Sequence, residues 1–301
     1  MTHTLRTLVA LALVTVVAGA NAELIGDWNL VVRHDLVTTS EVDGSALIGG
    51  SLSGTSNYAV HGVTAPNGDG LAVGGNIIGN SSIQINNGGN LRIGGSVQAG
   101  SQVTLNGGGV QISDAGVSWT VDTVFAQAEA ISSSLSGLAA NGTLDGAGNM
   151  TATPTFMDGY NVAVYNLTND QFQGLGQLNL NMGTADSVII NVLSSGGVVD
   201  LGAPPNLIGG FNQGNSSRIL WNLSDATDVL VNNSFNGAML APYANLELLG
   251  GGMNGSVIVD SFSRMWAEVR DYTYEGYVPE PMSALLVGIG GMLMLRRRRA
   301  A

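Results

Sequence analysis

The chain has no cysteine and no lysine. Without cysteine there is no disulfide framework, no thiolate nucleophile and no cysteine zinc site. The ten basic residues are all arginine, and five of them, Arg6 and Arg296 to Arg299, lie in terminal segments expected to be processed. The five that remain face 21 of the 22 acids, a net charge of about −16. Such a surface repels phosphate backbones, so nucleic acid is not an expected partner. Histidine is scarce as well. Beyond His3 there are only His34 and His61, and neither has the context of a nucleophile elbow. His34 and Asp35 are adjacent, so on a strand they point to opposite faces and form no direct acid–base dyad. A polysaccharide lyase on a β-helix needs a basic residue beside cation-bound carboxylates, and the shortage of basic residues makes that route thin. No catalytic residue and no cofactor-binding residue is assigned.

Proline is also scarce, at 7 residues, while glycine reaches 44, roughly double its usual share of about 7%. With 45% apolar residues, the chain is neither collagen nor a disordered linker. The glycines organise a repeat. It reads Ala46-Leu-Ile-Gly-Gly-Ser-Leu-Ser-Gly54, then Leu71-Ala-Val-Gly-Gly-Asn-Ile-Ile-Gly79, then Leu91-Arg-Ile-Gly-Gly-Ser-Val-Gln-Ala-Gly100. Looser copies are Val103-Thr-Leu-Asn-Gly-Gly-Gly109 and, far downstream, 246–259. Two apolar residues two apart are the period of a strand. The double glycine that follows is expected to supply positive φ at a corner. One such unit cannot bury its apolar face, but stacked copies can. The predicted fold is therefore mainly β, a right-handed parallel β-helix (solenoid) with one α-helix packed alongside. An antiparallel sandwich with glycine-rich hairpins is the alternative.

Taken in order, 1–22 reads as a secretory signal peptide: Arg6, an apolar run from Leu8 to Ala18, and a small-x-small cleavage site at Ala20 and Ala22. The mature domain spans 23–277. Its first piece, Glu23 to Asp43, is expected to form a strand pair that closes the open end of the solenoid. One helix is predicted at about 121–138, with Val121, Val124, Phe125, Ala128, Ile131, Leu135 and Leu138 on one face. Thr120 or Asp122 would cap its start, and Asn141-Gly142 would end it. Trp266, Tyr272, Tyr274 and Tyr277 are expected to form an aromatic terminal cap. Asn86, Asn87, Asn90, Asn106, Asn179 and Asn181 read as corner ladders that satisfy buried backbone groups. Asn-x-Ser/Thr triplets, among them Asn80, Asn141 and Asn222, offer a weak route to glycosylation. Glu41 and Asp43, two apart on one strand face, are a weak Ca²⁺ candidate, set against solvated surface carboxylates.

The last segment, 278–301, has three parts: Val278-Pro-Glu-Pro281, an apolar stretch from Met282 to Leu295, and the cluster Arg296 to Arg299. Fourteen residues make a helix of about 21 Å, short of a hydrocarbon core of about 30 Å. This predicts transient membrane insertion with the arginines cytoplasmic. The three-part order resembles the PEP-CTERM sorting signal. That resemblance implies processing at Pro279, Glu280 and Pro281 by an exosortase-type protease, after signal peptidase has acted on the other end.

The body resembles the choice-of-anchor A family of surface proteins. The matching residues are Gly26-Asp-Trp-Asn-Leu-Val-Val32, Ser40-Glu-Val-Asp-Gly44, Ile48-Gly-Gly50, Tyr165-Asn-Leu167, Val188-Ile-Ile-Asn-Val192, Trp221-Asn-Leu-Ser-Asp-Ala226, Gly237-Ala-Met-Leu-Ala-Pro-Tyr-Ala244 and Met253-Asn-Gly-Ser-Val-Ile258. The stretch Arg264 to Tyr274 departs from the family pattern, in which a histidine follows an acid. The resemblance implies an adhesin-like β-helical domain on the surface or in the matrix of a Gram-negative bacterium, associated with exopolysaccharide, and no catalytic residue carries over. A polysaccharide-active β-helix enzyme is the first alternative. Ice or crystal-surface binding is the second, and it needs a regular flat threonine array that Thr38, Thr39, Thr151, Thr153 and Thr155 do not supply.

Overall fold

The computed structural model describes residues 26–202 and 205–279. The chain is mainly β with few helices, and its strands stand in three stacks of parallel neighbours rather than in an antiparallel sandwich. In the first stack, Tyr160–Thr168 pairs with Ser187–Leu193, which pairs with Ile219–Asn222, and that strand with the start of Ala238–Leu248. The stack continues through Val257–Met265, Leu30–Val32, Ala46–Ile48, Asp69–Val73 and Asn90–Ile93 to Gln111–Ser113. Every ladder in it is parallel. Successive strands visit the first, second and third stacks in turn. Leu30–Val32 leads to Leu36–Thr38 in the second and to Val42 in the third, before Ala46–Ile48 returns to the first.

The order of rungs corrects one expectation. Leu30–Val32 does not close an end. It lies inside the first stack, paired on one side with Val257–Met265 and on the other with Ala46–Ile48. The first half of the chain builds outward from this seam to Gln111–Ser113. The helix α1 (Val117–Ser136) then returns along the stack, and the second half builds back toward the seam. The distances agree. A helix of 20 residues is about 30 Å long, enough to pass about six rungs at about 4.8 Å each. It touches strands from Asp69–Val73 to Ser187–Leu193, six rungs apart. The far end is closed by antiparallel pairs, Thr143–Leu144 on Asn149–Thr151 and Thr155–Met157 on Tyr160–Thr168. These hairpins cover Tyr160, Asn161 and Val162 of one edge and Met150 and Thr151 of another, which shortens the bare parallel edge there.

The helix explains the burial pattern. In the first stack Leu30, Val31 and Val32 are all buried. Leu30 and Val32 face the interior core with Ala46, Ile48, Leu71 and Val73. Val31, Leu47, Ala72, Leu240 and Ile258 face outward and are covered by Val121, Val124, Phe125, Ala128 and Ile131 of α1. Strands covered on both faces read as continuous apolar runs. The other two stacks keep one face in water, so Ile77–Ile85 alternates buried and exposed from Ser81 onward.

The helix begins and ends earlier than predicted. Its N-cap is Gly116, with no side-chain cap, and its C-cap is Gly137. Thr120 and Asp122 lie inside it. Val117 extends the apolar stripe by one turn and is buried, which is why the helix starts there. A second short helix, α2 (Asn169–Gln173), starts on a capping box between Thr168 and Gln171. The last carbonyls of α1 meet an asparagine ladder. Asn166, Asn191 and Asn222 are in register on adjacent strands. Their amides donate to Leu138 O (3.0 Å), Leu135 O (2.9 Å) and Ser132 O (2.9 Å). Asn222 also donates to Asn191, and Asn191 to Asn166, each at 2.8 Å. The ladder thus gives carbonyls near the helix end a further donor; Leu135 O also accepts the Leu138 N–H at 3.1 Å. Asn191→Leu removes three buried hydrogen bonds, those it donates to Leu135 O and Asn166 Oδ1 and the one it accepts from Asn222, so urea unfolding is expected to show a loss of about 2 kcal/mol.

The aromatic residues near the end of the domain do not form a terminal cap. Trp266 is exposed, while Tyr274 and Tyr277 are buried beside α1. The strap that carries them crosses three rungs. Tyr274 N–H donates to Ser256 Oγ (3.3 Å), Glu275 N–H to Ser217 O (2.8 Å) and Tyr277 N–H to Ser187 Oγ (3.1 Å).

The glycine runs divide: Gly107, Gly108, Gly251 and Gly252 of the two looser copies have the expected positive φ, while the three close copies differ. None of Gly49, Gly50, Gly74, Gly75, Gly94 or Gly95 has positive φ. Gly49, Gly74 and Gly94 instead form a column at one corner. A Cβ on each would stand 2.0, 2.3 and 2.4 Å from a carbonyl oxygen of the neighbouring rung, those of Arg33, Gly49 and Gly74. The repeat encodes close approach of stacked corners.

Candidate functional site

In the first half of the chain, the third stack offers a regular polar surface. Thr55, Ser82 and Gln102 are in register across three rungs, as are Asn57, Gln84 and Thr104. Their neighbours Ser56, Tyr58, Ile83 and Ile85 point inward and are buried. Period-two alternation over a buried core therefore forces these polar side chains to the outside. They adjoin a groove of about 530 Å³ lined by Glu41, Asn57, Val60, Gln84, Asn86, Asn87, Asn106 and Gly107.

The groove amides are held from behind. Asn86 Nδ2 donates to Tyr58 O (3.2 Å), and Asn87 Nδ2 to Ala59 O (2.7 Å) and Val60 O (2.9 Å). Asn106 Nδ2 donates to Asn86 Oδ1 (2.9 Å) and Gln84 Oε1 (3.3 Å). Asn57 Nδ2 reaches Glu41 Oε2 at 3.5 Å. Asn87 holds φ = +52°, a conformation that asparagine tolerates better than most residues. The corner-ladder expectation thus fits Asn86 and Asn106, and Asn179 bonds Asn149 at 3.3 Å. Asn90 Oδ1 accepts from Val110 N–H (3.1 Å), and Asn181 Oδ1 from Gly183 N–H (3.1 Å). A binding role for Gln84 and Asn57 was not read from the sequence. The available signal was the offset of one full turn between the polar positions of successive repeats.

Glu41 and Asp43, the Ca²⁺ candidate, are placed apart in function. Glu41 lines the groove. Asp43 is buried, with His61 Nδ1 3.0 Å from its Oδ2 and the Asp271 N–H donating to the same oxygen at 3.3 Å. Its Oδ1 has no hydrogen-bond partner. Among the described residues, no group of three or more histidines and acids is arranged to hold a metal ion. Burial pushes the Asp43 carboxyl above its ordinary range. The Asp271 N–H and His61 offset this in part, and the charges of Glu268 and Asp271 add to it. A carboxyl raised on folding contributes stability at low pH that is lost as pH rises through its folded value. From about pH 4 upward, the melting temperature is therefore expected to fall, and Asp43→Asn to flatten that slope. Thermal melts of the two chains across this range measure it.

Of the other histidine, Nδ1 of His34 lies 3.2 Å from Asp260 Oδ2. Asp35 turns elsewhere and accepts the Ser51 N–H at 2.6 Å, so the two neighbours do not act together, as expected. A smaller cavity of about 150 Å³ lies at the start of α1. Arg92 closes one side of it, with its Nε 2.6 Å from Asp69 Oδ2 and its Nη1 3.1 Å from Asp114 Oδ2. Thr38 is buried and Thr39 exposed, and Thr151, Thr153 and Thr155 lie at the closed end, so these threonines make no common array. Of the processing residues, Pro279 is the last one described, while Ala20, Ala22, Glu280 and Pro281 fall outside, as does 282–295. Among the described residues no helix is long and apolar enough to cross a membrane.

Two solved structures similar to this chain are a glycosylated ice-binding protein (LeIBP) from an Arctic yeast and an ice-binding protein from the Antarctic ascomycete Antarctomyces psychrotrophicus. The first is 15% identical, covers 87% of this chain and 96% of its own, and has a TM-score of 0.32. The second is 13% identical, covers 80% and 95%, and has a TM-score of 0.30. Both likenesses are too distant to argue from. No curated protein matches the chain. The family described as "Putative Ice-binding-like adhesive domain" matches residues 21–270, most of the length of the chain, and the chain belongs to it.

Proposed function

We propose that this is an exported, non-enzymatic adhesive protein of the bacterial surface or extracellular matrix, built as a right-handed parallel β-solenoid. The observation that carries the reading is the in-register polar surface of Thr55, Ser82, Gln102, Asn57, Gln84 and Thr104, in a chain of an adhesive family. A rigid wall with evenly spaced donors and acceptors suits repeated contact with an extended partner such as exopolysaccharide. In this reading signal peptidase removes 1–22, and the PEP-CTERM-like tail inserts transiently into a Gram-negative envelope. An exosortase-type protease then acts at Pro279, Glu280 and Pro281, as the PEP-CTERM resemblance suggests. Beads coated with the full chain are expected to adhere to cells or matrix of the producing strain. Failure to adhere, or recovery of the protein from culture intact through Ala301, would overturn the respective halves of the proposal.

The family description favours a second reading, binding to ice. The columns offer hydroxyls at Thr55, Ser82 and Thr104, but Asn57, Gln84 and Gln102 interleave long, flexible amides that hydrate strongly. A measurable thermal hysteresis gap in a solution of the chain would establish ice binding, and its absence leaves adhesion to softer polymers. Unchanged viscosity of polysaccharide solutions on adding the pure chain is expected if it is no enzyme.

A further inference from the structure

We propose that the amide groove is a binding site for a neutral polysaccharide chain that lies across the rungs, parallel to the stack. This rests on the adhesive reading and goes further by naming the class of ligand. Three observations carry it.

The first is charge. Glu41 is the only ionisable side chain lining the groove. Each arginine among the described residues is already ion-paired: Arg33 with Glu129, Arg92 with Asp69 and Asp114, Arg218 with Asp186, Arg264 with Glu247 and Arg270 with Glu268. A uronate, sulfate or phosphate polymer would meet a carboxylate here with no free cation to offset it, on a chain of formal charge −12. Like charges brought together across an interface cost affinity.

The second is hydrogen-bond chemistry. Among the described residues no hydrogen bond uses Gln84 Nε2, Asn57 Oδ1, Asn87 Oδ1 or Asn106 Oδ1, although the opposite end of each amide is engaged. An amide left with both kinds of group nearby suits sugar hydroxyls, which donate and accept together. Anchoring one end in advance lowers the ordering cost of binding. Glu41 can accept from two hydroxyls.

The third is spacing. Asn57 and Gln84 stand on neighbouring rungs, and Asn106 follows the next one. The rung separation of about 4.8 Å is close to the advance of one hexose in an extended glycan, so successive sugars meet successive amides. No aromatic ring lines the groove. Each contact is therefore weak, and retention depends on many contacts along one polymer or on several copies of the protein.

Affinity gels test this directly. The full chain is run through gels containing galactomannan, hydroxyethyl cellulose, dextran or alginate. Retardation by at least one of the three neutral polymers is expected, and none by alginate. Gln84 is exposed, so Gln84→Ala leaves the fold intact and is expected to weaken retention about tenfold. Gln84→Arg is expected to introduce retention by alginate. Retention by alginate alone, no retention by any neutral polymer, or full retention of the Gln84→Ala chain would overturn the inference. If beads coated with the chain still adhere while no neutral gel retards it, the neutral-glycan site falls and adhesion stands. If the beads fail as well, the adhesive reading falls too.

Discussion

Replacing Trp221 by alanine is expected to cost about 4 kcal/mol of stability, the largest loss of any single substitution considered. The indole is fully buried in the second half of the chain. Phe235 lies 4.9 Å from it between ring centroids, Phe211 5.5 Å away in a stacked arrangement, and Phe172 6.0 Å away edge-on. Such contacts add to the burial term. The three phenylalanines come from three places: α2, the turn after Asn206–Gly209, and Phe235–Asn236 in the third stack. One ring therefore joins successive turns, and removing it leaves a cavity that rigid stacked strands cannot collapse to fill. The indole N–H also donates to Asn236 O at 3.0 Å, so truncation strands a carbonyl as well. Trp221→Phe keeps most of the volume and is expected to lose about half as much. Equilibrium urea unfolding followed by circular dichroism measures both, and a loss below about 1 kcal/mol for alanine would show that this core is loose.

The sequence made the material of the fold legible but left its order hidden. Short apolar pairs in Ala46–Ile48, Asp69–Val73 and Asn90–Ile93 follow from burial and period, and the parallel ladders confirm the stacking they imply. The position of Leu30–Val32 did not follow. A strand in the middle of a stack and one at its end are both apolar. What sets the order is the length of α1, which carries the chain past the seam before the second half begins. The glycines of the three close copies serve close approach, while Gly107, Gly108, Gly251 and Gly252 of the looser copies serve positive φ. Composition cannot separate a glycine needed for positive φ from one needed because a neighbouring carbonyl occupies the place of its Cβ.

Side chains that act across the seam were equally hidden. Asn29 Nδ2 donates to Arg270 O at 3.0 Å, and its Oδ1 accepts the Gly44 N–H at 3.0 Å. Nothing local marks it. The groove was half legible: Asn86, Asn87 and Asn106 drew notice as ladder residues, which they are, while their free ends matter only once Asn57 and Gln84 stand beside them. Glu41 and Asp43 flank Val42, which makes a parallel bridge to Val269, and the cover that His61 and Asp271 place over Asp43 is what separates them. One joins the groove and the other is buried under His61.

Gly74→Val tests the corner column. A Cβ at Gly74 would lie 2.3 Å from Gly49 O and 2.9 Å from Ser118 Oγ. The Ser118 hydroxyl can rotate away, but Gly49 O cannot, because it belongs to the adjoining rung. That rung is fixed by Gly74 N–H donating to Ile48 O at 2.7 Å and Gly75 N–H donating to Gly50 O at 2.8 Å. The valine must either part the rungs or lift the start of α1, where Val121 already stands 2.8 Å from the Cβ position of Gly49. A loss of about 3 kcal/mol is expected, at the upper end of overpacking costs. For a domain of this size it lowers the melting temperature by roughly 6–12 °C. Gly62→Ala is the matched control. Nothing lies within 4 Å of its Cβ position and its φ is not positive. There the alanine restricts only the unfolded chain and is expected to stabilise by about 0.5 kcal/mol. If both substitutions shift the melt alike, glycine at the corner is serving general flexibility, and close approach of the rungs is not what the repeat encodes.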